Sequence, residues 1–161
     1  MLGIEPATLF LEDVASSVPG VRVVDAGPLG GAHPEGLLHR LVLDVPRSTD
    51  TYESLLRALV RMNRWYRQNG WGSFTIYDGR IRYRAEPPGQ EVWQSIPALF
   101  ARGEGDCVDL ATARVAQLPK TVRATARLQE EGPNQTGGTL YHVVVATKNG
   151  IEDPSRKLGM R

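Results

Sequence analysis

Gly103-Glu104-Gly105-Asp106-Cys107-Val108-Asp109-Leu110-Ala111-Thr112-Ala113-Arg114-Val115-Ala116-Gln117-Leu118 is the stretch on which the fold turns. Two glycines supply a flexible turn, and the apolar spacing that follows predicts a helix starting at Cys107. Leu110, Ala113 and Leu118 would face a core, while the small Ala111 and Ala116 would let the helix approach a sheet closely. A cysteine in a first helical turn meets unpaired backbone N–H groups and the positive end of the helix dipole. Both stabilise a thiolate and lower the thiol pKa below its free value of about 8.5. The same N–H groups can bind an oxyanion. Asp106 stands where an N-cap residue accepts a backbone N–H, and Asp109 lies just inside the turn, so both are assigned structural duties. A carboxylate beside the thiol would raise its pKa, so this reading requires both side chains to point away from the sulfur.

Downstream, Thr139-Leu140-Tyr141-His142-Val143-Val144-Val145-Ala146 is a β-branched run that predicts a strand. Alternation puts Leu140, His142 and Val144 on one face and Tyr141, Val143 and Val145 on the other. A histidine in so apolar a strand needs a partner. Asn149-Gly150 forms a turn, and Ile151-Glu152-Asp153-Pro154-Ser155 begins an antiparallel strand that brings Asp153 beside His142. Cysteine, histidine and aspartate in this order suit a nucleophile, its base and the residue that orients the base. Asp153 also reads as a plain turn residue before Pro154.

Upstream, Ser48-Thr49-Asp50 offers N-caps for a helix from Thr51 to Gln68 that Gly70 ends. Its Trp65-Tyr66 end is expected to pack into a core. Phe74 to Arg84 has two alternating segments around Asp78-Gly79 and predicts a β-hairpin with a type I′ turn. Ser95-Ile96-Pro97 starts a short helix through Phe100. Leu2 to about Val45 reads as irregular or β structure, with a strand over Leu38 to Val45, and His33 and His39 read as surface or packing residues.

The 161 residues suit a single domain, with 41% hydrophobic and 23% charged residues. Nineteen Lys and Arg are balanced by 18 Asp and Glu, net +1, and are scattered, so charge gives no sign of nucleic-acid binding. The single cysteine excludes an internal disulfide and any multi-cysteine zinc site. No metal or other cofactor is expected. Neither a secretion signal nor a membrane-length apolar run is present, so no membrane association and a cytoplasmic location are expected.

Gly105-Asp106-Cys107-Val108-Asp109-Leu110-Ala111, Tyr141-His142-Val143-Val144-Val145 and Gly150-Ile151-Glu152-Asp153-Pro154-Ser155 resemble, respectively, the nucleophile, histidine and aspartate segments of the transglutaminase-like branch of the papain-like cysteine peptidase superfamily. The resemblance covers roughly residues 95 to 160, whereas residues 1 to 90 match nothing in that family. It implies an α+β fold whose nucleophile helix packs on an antiparallel β-sheet. It also implies a Cys107-His142-Asp153 triad acting through an acyl-thioester on a protein or peptide substrate. Water as acceptor makes a peptidase or amidase, the preferred reading, and an amine makes a transglutaminase. Papain-like enzymes place an oxyanion-hole glutamine before the cysteine; Gln94, Trp93 and Asp106 are the residues here that could supply oxyanion or site support. The chain is also similar to small proteins encoded among bacteriophage structural genes. That likeness implies a virion-associated alternative in which the fold is a non-catalytic binding or assembly module docking on other phage structural proteins.

Overall fold

A computed structural model describes residues 6–28, 39–87 and 91–161 and shows mixed helix and sheet. The segment expected to be irregular or β opens instead with helix α1, Pro6–Ser17. Phe10, Val14 and Val18 are buried at intervals of four, a helical spacing where irregular or β structure was expected. Strands β1 (Arg22–Pro28) and β2 (His39–Asp44) pair antiparallel, so the expected Leu38 to Val45 strand is present as β2. Leu38 and His33 lie outside the described residues, as does the side chain of His39.

Helix α2, Thr49–Gln68, is capped by Ser48, whose hydroxyl accepts the Thr51 N–H. Beyond its end Gly70 takes φ +111°, a conformation that costs other residues steric strain. The hairpin expected over Phe74 to Arg84 does not form. Asp78 and Gly79 do turn the chain, with the Arg80 N–H donating to Asp78 Oδ1 at 3.1 Å, but the flanks do not pair with each other. Phe74, Ile76 and Ile81 are all sunk into one apolar cluster, so the alternation that suggested a hairpin reports burial. Arg82–Tyr83 (β3) instead forms a short parallel ladder with Glu104–Gly105 (β4), directly before the cysteine. An isolated two-stranded hairpin is marginal in water, and a ladder backed by a core satisfies the same backbone groups.

Helix α3 spans Ile96–Arg102 and α4 spans Cys107–Gln117. A three-stranded antiparallel sheet follows, ordered β5 (Thr125–Pro133), β6 (Thr139–Thr147) and β7 (Gly150–Glu152), with the short helix α5 (Pro154–Lys157) after it. No strand was expected at β5, whose polar residues Arg127, Gln129, Glu130 and Glu131 leave only a modest alternation at Ala126 and Leu128.

Helix α4 is the spine of the fold. Val108, Ala111 and Val115 enter one apolar cluster with α1, α2, Val143 and Val145, while Leu110, Ala113 and Ala116 enter a second with Phe74, Ile76, Ile96 and Leu99. Between the two faces the fully buried Asn63 donates to Thr112 Oγ1 and accepts the Ile96 N–H at 2.8 Å, tying α2 and α3 to α4. Glu152 Oε1 accepts from the Tyr77 hydroxyl, Arg114 Nε and Lys157 Nζ at 2.6, 2.9 and 3.1 Å. This network clamps the end of β7 to α4 and so fixes the residue that follows it, Asp153. No helix among the described residues is long and apolar enough to cross a membrane.

Candidate active site

Cys107 is the first residue of α4, where the sequence places it. Its approach is tightly packed: a Cβ on Gly105 would come within 2.6 Å of Leu99 Cδ1 and 2.9 Å of Asp109 Cβ, so only glycine fits there. Asp106 caps the helix, its Oδ1 accepting from the N–H groups of Val108 (2.8 Å) and Asp109 (3.1 Å). Asp109 returns the bond by accepting the Asp106 N–H at 3.2 Å, a reciprocal capping box.

His142 is buried at 3% exposure, and its Nε2 lies 3.0 Å from Asp153 Oδ2. A carboxylate accepts, so Nε2 carries the proton and donates to Asp153, leaving Nδ1 as the basic nitrogen. Asp153 is also a turn residue: its Oδ1 caps α5 by accepting the Arg156 N–H at 3.1 Å, and Arg156 Nε donates to Oδ2 at 3.1 Å. The orienting and turn readings of Asp153 therefore coexist. The antiparallel register ends with Val145 opposite Glu152. Past that point the Val143 N–H is near enough to the Cys107 sulfur to favour its thiolate, as is the cysteine's own N–H. The sulfur makes no hydrogen bond to the His142 ring among the described residues.

The electrostatics depart from the expectation of a helix-stabilised thiolate. Burial pushes the Cys107 thiol up to about 12, and the Asp106 carboxylate adds to the rise, while the Val143 N–H offsets part of it. The helix start supplies N–H groups, but withdrawal from water outweighs them. Asp106 itself is pushed up to about 6, chiefly by burial, and burial together with the neighbouring Asp106 charge raises Asp109 as well. Between the ordinary value of 3.8 and about 6 the folded chain therefore holds more protons than the unfolded one. The contribution of Asp106 to stability falls as pH rises through that window and is level above it. Asp106→Asn keeps the cap and removes the charge, so it should flatten that fall, whereas Asp106→Ala loses the cap and about 0.5–2 kcal/mol at any pH. Urea unfolding of the three proteins from pH 4 to 8 checks both; a parallel pH dependence in Asp106→Asn contradicts the assignment.

Gln94 and Trp93 do not stand as oxyanion donors. Gln94 is 5% exposed, and its Nε2 donates to Asp109 Oδ2 (2.6 Å) and to the Glu104 carbonyl (3.2 Å). Its backbone N–H donates to Asp109 Oδ1 at 2.6 Å. Gln94 thus supports the site by holding Asp109, and with both side-chain N–H groups used its Oε1 is buried without a partner. Trp93 packs against the same apolar cluster as Cys107, with its ring near Tyr52 and its Nε1 donating to Glu91.

Tyr83 is a site residue that the sequence did not disclose. It lies opposite Gly105 in the short parallel ladder. Its hydroxyl is raised by burial and then by the nearby Cys107, Asp106, Glu131 and Asp153. Only the β3–β4 pairing brings it there, and nothing in the local pattern announces that pairing. Among the described residues no group of three or more His, Cys, Asp or Glu side chains is arranged to hold a metal ion.

Compared with protein-family models, with curated proteins and with solved structures, the chain matches none.

Proposed function

We propose that the chain is a cysteine hydrolase, a peptidase or amidase of transglutaminase-like, papain-like type, with Cys107 as nucleophile, His142 as base and Asp153 as orienter. The observation that carries this reading is the 3.0 Å contact between His142 Nε2 and Asp153 Oδ2, which leaves Nδ1 basic on a buried ring one residue from the amide that acts on the Cys107 sulfur. A histidine this buried and held by a carboxylate, on the strand residue before the one whose N–H acts on a helix-borne thiol, is an arrangement suited to proton transfer.

In the reaction the thiol proton passes to Nδ1 as sulfur attacks the substrate carbonyl carbon. Asp153 stabilises the imidazolium, and its positive charge offsets the burial that holds the thiol neutral at rest. The N–H groups of Cys107 and Val143 are the donors available to the developing oxyanion. Imidazolium returns the proton to the departing amine as the C–N bond breaks, leaving an acyl-thioester. Water, deprotonated by His142, then cleaves the thioester and restores the thiol; an amine in place of water would make the same site a transglutaminase.

A second reading, a non-catalytic binding or virion assembly module that retains this fold, is favoured by the thiol being pushed up to about 12. An activated ester such as p-nitrophenyl acetate separates the two. The enzyme reading expects a burst of one nitrophenol per chain and an acetyl group on Cys107 by mass spectrometry, and the binding-module reading expects neither.

A further inference from the structure

Strand β3 lies between the chain entering α4 and the end of α5, and Tyr83 is the residue that joins them. On one side the Arg82 and Arg84 N–H groups donate to the Gly103 and Gly105 carbonyls, on the segment that leads into Cys107, at 3.1 and 2.9 Å. On the other the Tyr83 N–H donates to the Leu158 carbonyl at 2.9 Å, at the end of the helix that Asp153 caps. The backbone of Tyr83 is thereby tied both to the nucleophile's approach and to the helix that begins at the orienting residue. We propose that the Tyr83 hydroxyl is a catalytic group of the Cys107 reaction, donating a hydrogen bond to the oxyanion that forms on the substrate carbonyl. This role rests on the cysteine hydrolase reading.

The placement and freedom of the hydroxyl support it. The Tyr83 ring packs on the apolar cluster that holds Leu99 and Leu110, and the residue is half-buried. The charges whose fields reach the phenol are, in order of effect, Cys107, Asp106, Glu131 and Asp153, so its oxygen stands in the neighbourhood of the nucleophile and the orienting carboxylate. Among the described residues the hydroxyl makes no hydrogen bond. A tyrosine hydroxyl drawn in from water usually finds a partner, and a substrate oxygen beside Cys107 would supply one.

The side chains first expected to serve the oxyanion are spent. Gln94 gives its N–H groups to Asp109 and to the Glu104 carbonyl, Trp93 gives Nε1 to Glu91, and Asp106 accepts from the helix. The phenol adds a side-chain donor to the backbone N–H groups of Cys107 and Val143. As sulfur bonds to the carbonyl carbon, the thiol proton moves to His142 Nδ1 and the C=O π pair moves onto oxygen. The phenol shares its proton with that oxygen without giving it up, and releases it when the pair returns and the leaving group departs. Burial and the negative groups nearby raise the phenol above its ordinary range, so it remains a donor at neutral and mildly alkaline pH.

Tyr83→Phe keeps the ring and deletes the hydroxyl, and two reactions of the same thiol in the full chain read the result. Attack on p-nitrophenyl acetate builds an oxyanion, whereas alkylation by iodoacetamide displaces iodide from a saturated carbon and builds none. The burst rate constant of Tyr83→Phe should fall by about 10²–10³-fold, the usual effect of losing one oxyanion donor, while its alkylation rate and melting temperature match wild type. Equal losses in both reactions would make Tyr83 a positioning residue for the thiol, and an unchanged burst would leave the hydroxyl without a part in the step; either result overturns the inference. A wild-type chain that is alkylated but gives no burst sinks the hydrolase reading and this role together, whereas a wild-type burst untouched by Tyr83→Phe sinks this role alone.

Discussion

Cys107→Ala should abolish the ester burst and all amide turnover, while Asp153→Asn leaves a folded and slower enzyme. Without sulfur no acyl-thioester can form, so the alanine variant falls to the uncatalysed rate. Asp153 acts through His142, its Oδ2 serving Nε2 and its Oδ1 the Arg156 N–H; asparagine has one oxygen, so keeping it at Nε2 preserves the ring orientation and gives up the α5 cap. With the oxygen at Nε2 the loss should stay below the ~10⁴-fold that a misplaced tautomer costs, because Nδ1 then remains the free base. His142→Ala, which removes the base itself, should be the slower of the two. Single-turnover rates for the three variants check the order, and a Cys107→Ala protein with full activity would remove the triad from the account.

Asp109→Ala should destabilise the chain more than any other single change at the site, by about 3–5 kcal/mol. The carboxylate is fully buried and takes N–H groups from Gln94 N, Gln94 Nε2 and Asp106 N, at 2.6, 2.6 and 3.2 Å. Each donor left in the interior costs about 1–3 kcal/mol, and the helix start loses half of its capping box. Removing a buried charge works in the opposite direction, since burial raises the Asp109 carboxyl. Asp109→Asn separates the two effects, because it removes the charge but turns an NH₂ toward donors. If the acceptor role dominates, urea unfolding will show Asp109→Asn destabilised as well. An asparagine variant more stable than wild type at pH 8 would show that charge burial dominates.

Much of the site could be read from local signals. Asp106 before a periodic apolar run announces a capped helix, which fixes Cys107 at its first turn, and a histidine in a valine-rich strand announces a partner eleven residues on. What escaped the reading depends on contacts distant in sequence. The β3–β4 ladder joins residues about twenty positions apart, so Phe74 to Arg84 presents the alternation of a hairpin while its strand bonds go elsewhere, and Tyr83 reaches the site unannounced. Helix α1 was hidden because apolar residues at Phe10, Val14 and Val18 are sparse and mixed with polar ones. The burial that raises the resting thiol escapes local reading for the same reason: a helix N-terminus is visible in sequence, but the depth of burial that opposes it is a property of the assembled core.

The pH dependence of Cys107 alkylation by iodoacetamide tests the central claim, that His142 serves the thiol as its base. If it does, a proton transferred to Nδ1 leaves a thiolate beside an imidazolium, and wild-type labelling should rise with a midpoint well below pH 8. In His142→Ala that phase should vanish, leaving only the slow rise at strongly alkaline pH that burial and Asp106 impose on an unassisted thiol. Identical high-pH profiles in the two proteins would contradict the account, since the histidine would then have no part in the chemistry of Cys107.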